Sequence, residues 1–168
     1  MARDDSKAKR VREPRERKPS LIDVVNEIEI RRPRAEVAAY SGDMDNAPAW
    51  YEAVSSVEWK SPGPARVGSE FAMTQKILGS PVVYGYEIRE LVPGERLVTS
   101  TDDGPFELVT TYEWADAGDG DGATRMTLRN RGEARRLGKF AARAVAGAMR
   151  RAGRKDLQRL KELLEQPA

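Results

Sequence analysis

Residues 133–165, EARRLGKFAARAVAGAMRRAGRKDLQRLKELLE, decide the fold, because they predict one long amphipathic helix at the end of a strand-rich chain. Apolar residues recur at intervals of three and four, at Leu137, Phe140, Ala141, Ala144, Val145, Ala148, Met149 and Ala152. The pattern resumes at Leu157, Leu160 and Leu164, after a phase slip of about one residue near Gly153. The small residues in the first half indicate either tight packing on a sheet or space for a bound molecule.

The chain before this helix predicts strands joined by short turns. Residues 21–30 alternate between apolar and polar and predict the first strand, with Glu27 and Glu29 on its solvent face. Two short helices follow, at residues 33–40 and 44–54, and Pro48 limits or kinks the second. Six more strands are predicted at residues 54–60, 69–77, 81–92, 95–101, 106–114 and 123–131. Consecutive strands with short turns favour an α+β fold with a seven-stranded antiparallel sheet.

The composition excludes several classes of chemistry. The chain of 168 residues has no cysteine and no histidine. Disulfides, thiolate metal sites and Ser-His-Asp or Cys-His mechanisms within the chain are therefore excluded. The usual general base near neutral pH and the usual transition-metal ligand are also missing. We expect no metal and no cofactor.

Charge is segregated along the chain. Residues 1–20 carry eight basic and four acidic residues, residues 21–132 carry eleven and nineteen, and residues 133–168 carry ten and four. We interpret residues 1–19 as a disordered basic tail, since they lack large apolar residues, and residues 20–166 as one domain. The tail and helix could contact nucleic acid or a membrane, but we favour a solvated role. No apolar signal or spanning segment is evident, so we expect a cytoplasmic protein.

Several short stretches resemble one family when they are taken in order. They are residues 28–37 (IEIRRPRAEV), 43–50 (DMDNAPAW), 67–71 (VGSEF), 86–88 (YEI), 93–97 (PGERL) and 122–128 (GATRMTL). Together they resemble the START-like (SRPBCC) superfamily with the helix-grip fold, and most closely its bacterial polyketide cyclase/dehydrase branch. The resemblance covers most of the chain after residue 19. It implies a curved sheet that wraps the long helix and leaves a cavity for an apolar or amphipathic small molecule.

Strand alternation and the predicted helix face give the candidate ligand-binding residues. They are Trp50, Phe71, Met73, Gln75, Tyr84, Tyr86, Phe106, Leu108, Thr110, Tyr112, Met126, Leu128, Phe140 and Ala144. A mostly apolar lining with a few polar groups fits a ligand pocket, and it fits a plain core equally well. One β-bulge would exchange the inward and outward residues.

Three functions remain after these exclusions. We favour a binder of a lipid or polyketide-like small molecule. A polyketide cyclase or dehydratase is the second hypothesis, in which tyrosine phenols polarise carbonyl groups, although no residue spacing forces a catalytic group to form. The third hypothesis is a factor that contacts RNA or ribosomes through the basic helix and tail.

Overall fold

The fold combines one sheet with a long helix. The computed structural model describes residues 20–103, 107–118, 120, 122–134 and 137–167, and the predicted tail at residues 1–19 lies outside them. The strands are β1 (Ser20–Ile30), β2 (Val54–Trp59), β3 (Glu70–Ile77), β4 (Ser80–Val92), β5 (Arg96–Thr101), β6 (Glu107–Asp116) and β7 (Thr124–Ala134). The helices are α1 (Arg34–Ser41), α2 (Ala47–Trp50) and α3 (Lys139–Glu165), and a 3₁₀ turn at Met44–Asn46 precedes α2.

The strands form an antiparallel sheet in the order β1-β7-β6-β5-β4-β3-β2. From β2 to β7 each strand pairs with the next in sequence, and β1 pairs along its full length with β7. Register shifts in β2, between Val54 and Ser56, and in β4, between Ile88 and Glu90, add local bends. The predicted α+β helix-grip architecture, with two short helices after the first strand, is confirmed.

The two faces of the sheet follow the sequence alternation. On β1, the side chains of Ile22, Val24 and Ile30 are fully buried, while Glu27 and Glu29 are exposed. The buried face packs against α3, and the main core extends from there to α1 and α2. Burial of this face is the main source of stability.

The start of the long helix was predicted too early. Glu133 belongs to β7, where it pairs with Leu21 on one side and Glu107 on the other. Backbone pairing to two neighbouring strands satisfies this segment better than a first helical turn would, because four N–H groups of such a turn lack partners. The helix begins after Gly138, whose carbonyl accepts from the Ala142 N–H.

The inner face of α3 agrees with the prediction at Leu157 and Leu160 and differs from it in the first half of the helix. Its buried residues are Ala142, Gly153, Asp156, Leu157 and Leu160. These positions follow one helical periodicity without a phase slip. The predicted inward residues Phe140 and Ala144 lie on the solvent side, and the Phe140 side chain is 87% exposed.

The C-terminal end of α3 is fixed to the β1–α1 connection. Glu165 accepts from the Arg31 backbone N–H at 2.7 Å and pairs with the Arg31 guanidinium at 3.1 Å. The Arg32 guanidinium donates to the Leu164 carbonyl at 2.6 Å, and the Lys161 ammonium donates to the Glu29 carbonyl at 2.7 Å. Arg32 thus satisfies a carbonyl that the last helical turn leaves without a partner.

The second short helix is shorter than predicted. Residues 44–46 form the 3₁₀ turn, and α2 then makes one turn that ends at Trp50. Pro48 lies at the start of α2, where a missing N–H costs least. The chain leaves the helix at Tyr51, which turns the tyrosine ring toward the concave face of the sheet.

Gly153 allows α3 to approach β1 closely. A Cβ atom at this position would overlap the amide nitrogen of Asn26 and lie 3.2 Å from its Cγ atom. Asn26 is only 7% exposed, so its amide has little room to move. We therefore expect Gly153→Ala to lower the free energy of unfolding by about 1 kcal/mol, although alanine is the better helix former. Urea denaturation measures this change.

Asn26→Ala supplies the matched background for this test. Without the amide, a methyl group at position 153 meets ordinary contacts, since Asn26 Cβ lies 3.9 Å away. In that background, Gly153→Ala should raise the free energy of unfolding by up to about 1 kcal/mol. Equal effects in both backgrounds would show that the contact with Asn26 does not require glycine.

Candidate ligand-binding cavity

A cavity of about 180 Å³ lies between α3 and the concave face of the sheet. Its walls come from strands β2 to β7, the segment after α2 and the middle of α3. The lining residues are Tyr51, Ala53, Val54, Met73, Gln75, Tyr86, Thr99, Leu108, Thr110, Tyr112, Leu128, Asn130, Met149, Ala152, Gly153 and Asp156. Small residues on α3 and polar side chains on the strands leave this space unfilled.

Larger hollows occur elsewhere in the described part of the chain. One of about 780 Å³ lies between α1 and the β4–β5 turn, and one of about 770 Å³ lies beside α3 near Glu52 and Arg159. A third, of about 420 Å³, includes Ala72 and Gly85 on β3 and β4. The cavity under α3 is smaller, but inward-facing hydrogen-bonding groups converge on it. Polar groups that converge among apolar side chains in a concave space are typical of a ligand site.

Two tyrosines form the centre of the polar wall. The Tyr51 and Tyr112 hydroxyl oxygens lie 2.9 Å apart and share one hydrogen bond. One of the two protons is thus free to donate elsewhere. Burial raises the pKa of both phenols well above the ordinary value of 10. Both side chains are therefore neutral near pH 7 and act as hydrogen-bond donors and acceptors.

Two further polar pairs lie on the strands. Gln75 Nε2 on β3 donates to the Tyr86 hydroxyl on β4 at 2.7 Å. The Thr110 hydroxyl on β6 donates to Asn130 Oδ1 on β7 at 2.8 Å. Burial raises the pKa of Tyr86 to about 12. Each pair leaves additional donor or acceptor capacity for a bound molecule.

Asp156 is the carboxylate of the cavity wall. It lies on the inner face of α3, is 7% exposed, and accepts the Glu52 backbone N–H through Oδ1 at 2.9 Å. Burial raises its pKa from 3.8 to about 6, and the Glu52 hydrogen bond only partly opposes that shift. A carboxyl group that titrates near neutral pH beside a cavity is a candidate functional group.

Two buried donors near the cavity lack hydrogen-bond partners among the described residues. They are Asn26 Nδ2, below Gly153, and Trp50 Nε1. Trp50 is fully buried and stacks on Tyr51 with ring centroids 3.9 Å apart. Unpaired buried donors carry a free-energy penalty, so this region is not optimised for stability alone.

The structure brings half of the sequence-predicted site residues to the cavity. Those that line it are Met73, Gln75, Tyr86, Leu108, Thr110, Tyr112 and Leu128. All come from strands, where side-chain alternation predicts the inward face directly.

The other predicted residues lie elsewhere. Trp50, Phe71 and Met126 are buried in the core and do not line the cavity, and half-buried Tyr84 does not line it either. Phe140 and Ala144 are exposed on the outer face of α3, because Ala142 and Val145 take the inward positions of that turn. Phe106 lies outside the described residues.

Sequence reasoning missed nine lining residues: Tyr51, Ala53, Val54, Thr99, Asn130, Met149, Ala152, Gly153 and Asp156. Two of them had a usable signal, since Thr99 and Asn130 share strand parity with buried Leu97 and Leu128. Asp156 lies one turn before Leu160 and so shares its face. A charged residue on an apolar helix face is easily assigned to solvent, which hid its role.

One known family matches the chain over most of its length. Residues 22–165 match the family described as "Polyketide cyclase / dehydrase and lipid transport". The chain belongs to this family. No protein with a curated description matches it.

Solved structures share the fold at low sequence identity. TTHA0849 of Thermus thermophilus is 21% identical, with a TM-score of 0.69 over 83% of this chain and 94% of that one. A START superfamily protein of Mycobacterium smegmatis is 13% identical, with a TM-score of 0.69 over 84% and 98%. The aromatase/cyclase Zhui of Streptomyces sp. R1128 is 14% identical, with a TM-score of 0.71 over 87% and 94%. At these identities the likeness shows the fold alone.

The described part of the chain shows neither a metal-binding group nor a membrane-spanning helix. No group of three or more acidic side chains there is placed to hold a metal ion. Every described helix is too short or too polar to cross a bilayer.

Asp156 should make the protein less stable as pH rises. The folded state holds the Asp156 proton up to about pH 6, whereas the unfolded chain loses it near 3.8. The free energy of unfolding should therefore fall by about 3 kcal/mol across this range because of this group. Asp156→Asn keeps an acceptor for the Glu52 N–H and should be more stable than the native protein above pH 6 by about that amount.

Urea denaturation between pH 4 and 8 measures this effect. Glu162→Gln removes an exposed carboxylate from the same helix and is the matched control. The gain of Asp156→Asn should vanish near pH 4, where the native carboxyl group is largely protonated. If Asp156→Asn raised the free energy of unfolding equally at every pH, burial of the ionised Asp156 carboxylate would not be the cause.

Proposed function

We propose that the protein binds a small amphipathic molecule in the cavity between α3 and the sheet. The observation that carries this proposal is the convergence of neutral polar pairs on an unfilled space inside the fold. A cavity kept only by imperfect packing would be lined by apolar groups, since buried polar groups need partners. Family membership agrees with this function, because the family description includes lipid transport and cyclase activity.

The cavity volume limits the ligand. An apolar cavity of about 150 Å³ holds benzene. The cavity of about 180 Å³ therefore fits a compact molecule, or one segment of a longer one. A longer lipid or polyketide-like chain requires part of α3 to move outward. We expect such a movement to involve the N-terminal half of α3, because the C-terminal half carries Leu157, Leu160 and the ties to Arg31 and Arg32.

A cavity-filling variant tests the proposal. Ala152 and Ala148 are both exposed and lie one turn apart on α3, but only Ala152 borders the cavity. We expect native mass spectrometry of the protein from its own host to show a co-purified small molecule that survives high salt. Ala152→Trp should lose it, because the indole occupies the space, and Ala148→Trp should retain it. Circular dichroism checks that both variants remain folded.

Two results would contradict this expectation. Retention of the molecule by Ala152→Trp at native occupancy would place it outside the cavity. A ligand-free protein that instead retains nucleic acid at low salt would favour the exposed basic face of α3, at Arg150, Arg151 and Arg154, as the binding element.

A cyclase or dehydratase is the second candidate function. The observation that favours it is the presence of neutral phenols and a carboxyl group with a pKa of about 6 in one cavity. The phenols could donate to a ligand carbonyl, and Asp156 could exchange a proton with an adjacent carbon or hydroxyl group near neutral pH. This arrangement suits an intramolecular aldol condensation followed by dehydration.

Removal of one hydroxyl group separates binding from turnover. Tyr112→Phe keeps the ring and removes the hydrogen bond to Tyr51. If the phenol acts in the reaction, product formation from a polyketide-like substrate should fall about 100-fold while ligand affinity changes less than about tenfold. Tyr84→Phe, on a ring that does not line the cavity, is the control. Equal losses in both variants would count against a catalytic phenol.

A further inference from the structure

The charge on the described cavity wall is negative. None of the described lining residues is a lysine or arginine, and Asp156 is the single lining side chain that is anionic above pH 6. An anionic ligand that binds against this wall would lose its hydration shell and would gain no cationic partner in return. The tyrosine hydroxyls offer it only neutral hydrogen bonds.

The basic residues of α3 act on Asp156 from outside the cavity. Arg154, Lys155 and Arg159 are exposed and border the outer hollow beside α3. Arg159 and Lys155 lower the pKa of Asp156, but burial raises it by more, and neither cation lines the cavity. They therefore attract anions to the outer surface of the helix, while the inner wall carries the carboxylate.

Asp156 lies at the boundary between the cavity and this outer hollow. It is the one described residue that borders both spaces. Its Oδ1 accepts the Glu52 N–H, and Oδ2 has no hydrogen-bond partner among the described residues. A cationic group at Oδ2 would gain a charge-assisted hydrogen bond without complete loss of contact with water.

We propose that the cavity selects an amphiphile whose polar end is an amine, accepts a neutral hydroxyl less tightly, and rejects a carboxylate, with Asp156 as the group that binds the ammonium. This selectivity rests on the proposed binding function. The apolar body of the ligand lies against Met73, Leu108 and Leu128, and its polar end lies at the α3 wall. Neutral oxygen atoms along the ligand accept hydrogen bonds from the hydroxyl group of Tyr51 or Tyr112.

Three molecules of nearly equal size test the selectivity. They are 2-phenylethylamine, 2-phenylethanol and phenylacetate, each small enough for the cavity. Two-dimensional amide NMR of the full chain at about pH 8 gives the Kd of each from the shifts of the Thr110 and Gly153 amides. We expect the amine to bind about tenfold more tightly than the alcohol, and phenylacetate to bind at least about tenfold more weakly than the alcohol.

Asp156→Asn and Glu162→Gln are the matched variants. Both remove one carboxylate from α3, but Glu162 borders only the outer hollow. Asp156→Asn should bring the amine and the alcohol to equal affinity and leave the Kd of the alcohol within about threefold. Glu162→Gln should keep the amine preference. Asparagine still accepts the Glu52 N–H, so the variant is expected to fold.

The outcomes separate this inference from the proposed function. Equal affinities of the three molecules for the native cavity, or tightest binding of phenylacetate, would overturn the selectivity and leave ligand binding intact. Loss of the amine preference in Glu162→Gln as well would assign it to surface charge and overturn the role of Asp156. Binding of none of the three at the Thr110 and Gly153 amides would count against the proposed cavity function itself.

Discussion

The close approach of α3 to β1 at Gly153 is the constraint on which the rest of the structure depends. The Asn26 side chain fills the space that a side chain at position 153 would need. This contact fixes the rotation of the helix, so that Leu157 and Leu160 enter the core on one side of it. The same rotation turns Asp156 toward the cavity. The absence of a Cβ atom at position 153 therefore allows both the close packing of α3 on β1 and the inward position of Asp156.

The strands and their order could be predicted from the sequence, whereas the inner face of α3 could be predicted only at its C-terminal leucines, Leu157 and Leu160. Alternation with a period of two gives each strand residue only two choices of face, and turn residues mark the ends. A helix offers more choices, and here the inner face carries Gly153 and Asp156 while Phe140 lies in solvent. Apolar periodicity assigns the wrong inner face to a helix when some inner positions hold a small or a polar residue instead of a large apolar one.

The sequence predicted a cavity between the sheet and the helix, but it identified only part of the cavity lining. Strand parity identified inward residues correctly, but inward residues also build the core, as Phe71 and Met126 do. Which of them border the cavity depends on where α3 crosses the sheet and on the turn that brings Tyr51 inward after α2. Both are tertiary features that single-sequence patterns do not encode. Phe106 does not enter this comparison, since residues 104–106 lie outside the described part of the chain.

The polar groups under α3 oppose stability, which is an argument for a role beyond folding. Asp156 is ionised at neutral pH in a site where burial disfavours its charge, and Asn26 leaves a buried donor without a partner among the described residues. Apolar replacements of similar size would often stabilise such a site. A protein with only about 5–15 kcal/mol of net stability has little margin for polar groups that serve no purpose. Because the fold is shared at low sequence identity, the ligand selectivity that we propose rests on these side chains and not on the architecture.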